Sequence, residues 1–317
     1  MGFDYVMATE FGGKITPSTP IEHKRGDYKP LPIILREMAD LGYAGVEHAP
    51  FIEGASLASG SADFLQTIQA VQQMGGTTRA GVTGLHWILS FLGLVEPPHQ
   101  GLSIFSEGEK LRETVHYYAQ VLDYCHSLGG TYVVHGSPGS RQLPDGVGFE
   151  EGLRRAAHFF NSGVSDRQEE GVVILVEHAA LRQVRIAWEP LSTAETNFCN
   201  TFNQGLRLVD MIGGQDTFGL TLDVKAMAAS RKPVARTIRR ISDEDWKSVF
   251  VIHLNDPNLY GPGLGKRDFK PILEAIAEKG WAAPITIEPF KLHGDSYMDD
   301  CKRILEYLGT CERDIGI

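Results

Sequence analysis

The stretch VVILVEHAALRQVRIAWEP, residues 172–190, decides the fold. It holds two apolar runs, VVILVEHA and VRIAWE, each with a glutamate at or near its end. Either could be a strand on composition. ALRQ joins them, with no glycine, proline or asparagine to mark a turn. A crossover between adjacent parallel strands takes about a dozen residues, so only one run can belong to the sheet. The second is followed at once by Pro190, which has no N–H to extend a ladder. We therefore read 184–189 as a strand and 165–183 as the helix before it. Glu189 then stands at a strand end and Glu177 on a helix face.

Working outward, seven further runs have the same character. They are DYVMA (4–8), AGVEHA (44–49), AGVTGLHWI (80–88), TYVVHG (131–136), FGLTLDV (218–224), VFVIHLN (249–255) and PITIEPF (284–290). They are continuous and β-branched rather than alternating, as strands buried on both faces of a parallel sheet should be. Amphipathic segments lie between them. LPIILREMADLGY is stopped by Gly42, EKLRETVHYYAQVLDYCHSLGG by Gly129 and Gly130, and DFKPILEAIAEKGW by Gly280. Eight strand–helix units in about 300 residues predict an α/β chain folded as one (β/α)8 TIM barrel domain over 1–317. A doubly wound open sheet is the alternative, but no GxGxxG follows the first strand.

The formal net charge of -10 argues against non-specific nucleic-acid binding, which draws on cationic contacts to phosphate. Cys125, Cys199, Cys301 and Cys311 show no CxxC spacing, so free thiols in a reducing cytoplasm are expected. The N-terminus does not read as a signal peptide, and no apolar run reaches 18 residues, so no membrane partner is expected.

Chemistry in a parallel barrel collects at the C-terminal ends of the strands. The polar residues there are Glu47 and His48, His86, His135, Glu189, Asp223, His253 and Glu288. A buried carboxylate needs a partner. Glu189, Asp223, His253 and Glu288, on four consecutive strands, could satisfy one another through a divalent cation. Carboxylates with one imidazole suit Mn²⁺, Co²⁺ or Mg²⁺. Taken singly, each has a plainer reading: a carboxylate as a helix N-cap, His86 as a hydrogen-bonded rim residue, His135 as the pin of its own loop.

WEPLSTAETNFCNT (188–201), LTLDV (220–224), VIHLND (251–256), GPGLGKRDF (261–269) and ITIEPF (285–290) fall in one register. In these motifs the chain resembles the xylose-isomerase-like sugar isomerase/epimerase superfamily, nearest its ketose (D-tagatose/D-psicose) 3-epimerase branch. The resemblance implies a (β/α)8 barrel with one divalent metal, Mn²⁺ foremost, held by Glu189, Asp223, His253 and Glu288. It implies a sugar epimerase or isomerase working through a cis-enediolate, with Glu189 and Glu288 shuttling the proton. His135 joins them as a candidate acid/base group. Glu195, His86, Glu47, Asp256, Lys266 and Arg267 are the expected substrate contacts, the last two for an anionic group. Barrels of this kind often pair, and 91–105 is a candidate lid or contact loop.

The chain departs from that branch. Ala226 stands where the epimerases carry a substrate-binding histidine, and NDPNLYG replaces a stretch with an arginine. Lys225 beside it is expected to face solvent, because lysine is seldom buried. These departures keep a second outcome open, a metal-dependent lyase or dehydratase acting on a 3-keto sugar or 3-keto glycoside with His135 as base. An endonuclease IV-like phosphodiesterase is a remoter alternative. It would use His86, His135 and Glu189, but Ala226 and Phe269 occupy the positions of two further expected zinc-binding histidines. A non-catalytic binding barrel is disfavoured by the intact ligand quartet.

Overall fold

Each of the eight apolar runs forms a strand. In the computed structural model these are β1 (Tyr5–Ala8), β2 (Gly45–His48), β3 (Gly81–Leu85), β4 (Tyr132–His135), β5 (Arg185–Trp188), β6 (Phe218–Asp223), β7 (Val249–Leu254) and β8 (Ile285–Ile287). All pair in parallel and close into a barrel in the ring order β1-β8-β7-β6-β5-β4-β3-β2. The described residues are 2–9, 29–50, 62–74, 80–89, 101–162, 164–165, 172–214, 216–292 and 297–317. Residues 91–100 of the proposed lid lie outside them, while Leu102, Ile104 and Phe105 pack into the core.

The deciding stretch resolves as a helix over Leu175–Leu181 followed by β5. The helix is shorter than the 165–183 that the sequence suggested. Val172–Val173 instead pair antiparallel with Val164–Ser165. Valines are stiff at χ1 and lower helix propensity, so this end of the run goes to the antiparallel pair. Glu177 is on the helix, as expected. The helix Leu31–Leu41 ends as predicted at Gly42, whose φ of 97° is open to glycine at little cost. Gly129 and Gly280 follow the ends of Gly108–Ser127 and Lys270–Glu278.

Strand alternation divides the core in two. Val134, Ala187 and Val251 point into the barrel, with Tyr132 and Phe250 packed against them. Val133, Ile186 and Trp188 belong to the larger layer between sheet and helices. This parity carries to the strand ends and sorts the polar residues there. A cavity of about 390 Å³ lies at the N-terminal end of the barrel, lined in part by Thr131, Arg185 and Pro284. It is opposite the strand ends that hold the site.

Candidate metal centre

Glu189, Asp223, His253 and Glu288 come together at the C-terminal mouth of the barrel. One ligand atom from each lies within 4.8 Å of all the others, and all four residues are buried. Among the described residues this is the one such cluster of potential ligands. His253 Nδ1 faces Glu288 Oε2 at 3.3 Å and Glu189 Oε1 at 3.4 Å. Asp223 also serves as the N-cap its plainer reading proposed, since its Oδ1 accepts from Ala226 N at 2.5 Å.

Glu47, expected at the substrate, stands behind His253 instead. It is fully buried, with Oε1 at 3.0 Å from His253 Nε2 and 3.3 Å from His86 Nδ1. Its Oε2 accepts from Tyr132 Oη at 2.6 Å and Thr286 Oγ1 at 2.9 Å. Burial alone would raise this carboxyl, but His253, His86 and Tyr132 outweigh it and hold the group down at about 2. An ionised carboxylate only accepts, so His253 carries a proton on Nε2 and turns Nδ1 toward the quartet. Carboxylates behind metal-ligating imidazoles set ring orientation in this way.

The electrostatics of the cluster call for a cation. Burial and the charge of Glu189 raise Asp223 to about 6. Burial opposes a charged His253, yet Glu47 and Glu288 raise it well above the ordinary imidazole value. Nδ1 is buried, close to two carboxylate oxygens and without a well-formed hydrogen bond. Three carboxylates and an imidazole nitrogen converging on one point fit a divalent metal ion, and hard oxygen-preferring ions best.

Asn255 is a member that the sequence reading missed. Its Nδ2 donates to Asp223 Oδ2 at 2.5 Å and Glu288 Oε2 at 2.9 Å, fixing two of the quartet. The signal was present, because Asn255 lies two residues beyond His253 and so on the same face of the chain.

His135 is not brought to the quartet. Val134 points inward, so His135 points outward, between Trp188 at 4.7 Å and Tyr118 at 5.8 Å in near-parallel stacks. Burial and the Arg141 charge push its imidazole well below the ordinary value, so it is neutral there. Arg141, itself fully buried, lies over the other part of this stack, 4.6 Å from the Trp188 ring. His86 is buried against Glu47.

Glu195 stands in the loop after β5. Its Oε2 accepts from Ser192 N at 3.1 Å and Ser192 Oγ at 2.7 Å. Its Oε1 accepts from Lys225 Nζ at 2.6 Å. Lys225 was expected to face solvent and does not; its side chain is 17% exposed and lies 5.0 Å from the Phe290 ring. Pairing with Glu195 is what allows the burial. Asp256 is occupied within its own loop, where Oδ2 accepts from Lys266 N at 2.9 Å and Arg267 N at 2.7 Å. The loop needs Gly265, because a Cβ there would meet Asp256 Oδ2 at 2.2 Å. Lys266 is exposed and Arg267 half-buried.

A closed parallel barrel with a carboxylate–imidazole quartet at its C-terminal mouth defines a (β/α)8 protein with a candidate metal centre. The chain belongs to the xylose isomerase-like TIM barrel family, whose model matches residues 35–307. It is 27% identical over 116 residues to an L-ribulose 3-epimerase of Methylomonas sp. (strain DH-1), covering 37% of this chain and 39% of that one. The chain thus matches about two fifths of that relative's length. Its fold is similar to that of 3-keto-D-glucoside 4-epimerase from E. coli, with a TM-score of 0.69 and 15% identity over 98% of this chain and 100% of that one. D-psicose 3-epimerase from Clostridium cellulolyticum H10 gives a TM-score of 0.69 and 13% identity over 99% and 100% of the two chains.

Proposed function

We propose that the protein is a divalent-metal-dependent epimerase or isomerase of small sugars, moving a proton on the carbon beside a ketose carbonyl. The observation that carries this reading is the convergence of Glu189, Asp223, His253 and Glu288 within 4.8 Å. A divalent ion held by these four, Mn²⁺ foremost, would supply Lewis-acid polarisation of the carbonyl. Glu189 and Glu288 enter from β5 and β8, with β6 and β7 between them. On this reading they serve two faces of one carbon. One group, ionised, takes the proton and leaves an enediolate; the other, protonated at the outset, delivers its proton to the opposite face, which inverts the centre and leaves the two protonation states exchanged. Asn255 holds Asp223 and Glu288 in place, while Glu47 fixes His253 from behind.

The epimerases named above support a sugar substrate, either a free ketose or a 3-keto glycoside. Elimination from a 3-keto sugar would call on His135 as base, and an imidazole sealed between Tyr118 and Trp188 lends that outcome no support. The four cysteines are free and buried, in keeping with a reducing cytoplasmic setting, and among the described residues no helix is long and apolar enough to cross a membrane.

Incubation in D₂O with D-tagatose, D-psicose, L-ribulose and a 3-keto-D-glucoside tests the reading. Deuterium at an epimerised carbon is expected, together with about one Mn, Co or Mg per chain. Glu189→Gln and Glu288→Gln should each abolish exchange. Full activity in either variant would sink the assignment, and loss of aglycone or water would point to the lyase.

A further inference from the structure

The proton shuttle leaves one charged side chain of the site without a role. Lys225 is the second residue of the helix Val224–Ala229, two residues beyond Asp223, and its backbone N–H donates to Asn255 Oδ1 at 2.9 Å. Its ammonium is held by Glu195 Oε1 at 2.6 Å and by the Phe290 ring, which itself packs 6.3 Å from Trp87. Glu195 does not swing freely, because its second oxygen takes two hydrogen bonds from Ser192. An ammonium has three donors and no acceptor, and Glu195 uses one of them. A carboxylate oxygen retains acceptor capacity after one bond. The pair therefore presents a spare donor and a spare acceptor side by side, next to two members of the quartet.

A donor beside an acceptor matches a hydroxyl group, which accepts one hydrogen bond and donates another. It matches a phosphate or carboxylate poorly. The Lys225 charge is already balanced by Glu195, and Asp223 and Glu288 are near enough to act on it electrostatically. The paired ammonium therefore offers an added anion little net attraction.

Building on the epimerase reading, we propose that Lys225 is the specificity-determining contact of the site, donating to an uncharged hydroxyl or carbonyl oxygen of the sugar. The substrate class is accordingly the free sugar or neutral glycoside, and phosphate esters at that end are turned away.

The test compares Mn-loaded wild type, Lys225→Met and Lys225→Arg on D-tagatose, a 3-keto-D-glucoside and D-tagatose 6-phosphate. Deuterium exchange gives kcat and KM, and tryptophan fluorescence gives sugar affinity without turnover. Wild type should favour an uncharged sugar over the phosphate ester by about tenfold or more in kcat/KM. Lys225→Met should keep its metal and melting temperature while KM and the sugar Kd rise about tenfold or more, the usual loss for one hydrogen bond to a charged group. Lys225→Arg should recover part of that loss. Unchanged KM and Kd in Lys225→Met, or a preference for the ester, would overturn the proposal while leaving the epimerase intact. If Lys225→Met fails to fold, the ester comparison in wild type decides alone. Wild type that neither binds nor exchanges any of the three would overturn the epimerase reading and this one with it.

Discussion

Gly136 and Glu189 share one space: a Cβ on Gly136 would lie 1.9 Å from Glu189 Oε2. The two residues follow adjacent strand ends, where Glu189 N donates to His135 O at 3.2 Å. By strand parity Gly136, and not His135, takes the inward position beside the carboxylate. Gly136 is also not among the glycines with positive φ, so alanine is acceptable to its backbone. Gly136→Ala should therefore fold normally and yet displace Glu189. Misplacing a reacting group by about 1 Å costs roughly 10²-fold in rate, and a loss of that order in kcat/KM is expected with the melting temperature nearly unchanged. Wild-type kinetics would mean that Glu189 has another place to stand.

On the proposed reading Glu47 would support the metal ion through His253 without being a ligand. Glu47→Gln keeps the shape but removes the charge that accepts from His253 Nε2 at 3.0 Å. Losing such a partner typically weakens metal affinity by about 10–100-fold. Titration with Mn²⁺ should show that drop in a protein of native circular dichroism. Tyr132→Phe, which removes the 2.6 Å hydrogen bond to Glu47 together with longer ones to Thr83 and Thr286, should have a smaller effect in the same direction. Equal affinities for wild type and Glu47→Gln would reduce Glu47 to a packing role.

The fold was legible because its strands announce themselves twice, by continuous β-branched runs and by the glycines that stop the intervening helices. The residues 172–190 could be sorted because a crossover has a minimum length. Where the helix began could not, because Val172 and Val173 satisfy either an antiparallel pair or a helix until a partner strand is known. The quartet was legible as residue types at strand ends. Roles around it were less so, since they depend on which way a side chain points. His135 looked like a site residue until parity placed it outside the barrel, and Lys225 looked solvated until Glu195 came within 2.6 Å. Asn255 was readable from its i+2 spacing to His253 and was overlooked.

Metal removal should be visible in stability. A ligand that binds only the folded state adds RT ln(1 + [L]/Kd), about 2.7 kcal/mol at a hundredfold excess over Kd. For a chain of this size that corresponds to a rise of several degrees in melting temperature. Chelation should lower the melting temperature by that amount, and Mn²⁺ should restore it. Glu189→Gln should show little response to either treatment. A chelator-insensitive wild type that holds no metal would contradict the centre.

The Glu195–Lys225 pair sets a pH dependence whose sign follows from its carboxyl. Burial would raise Glu195, but Lys225 and Ser192 outweigh it and hold the group below the ordinary carboxylate value of 4.5. A depressed folded value means that the unfolded chain takes up protons first as pH falls. The pair's stabilisation is thus fully present above about pH 4.5 and is lost as pH falls through the lower folded value. Burial would lower Lys225, but Asp223 and Glu195 together outweigh it and shift the group upward, so neither partner changes charge between about pH 5 and 9. Substrate affinity should be flat across that range as far as this pair is concerned. Glu195→Gln should make the melting temperature fall less steeply between about pH 5 and 3 than it does in wild type. The screening expected for side chains 17% and 28% exposed keeps the difference modest. Identical acid slopes in the two proteins would show that the pair is not maintained in solution.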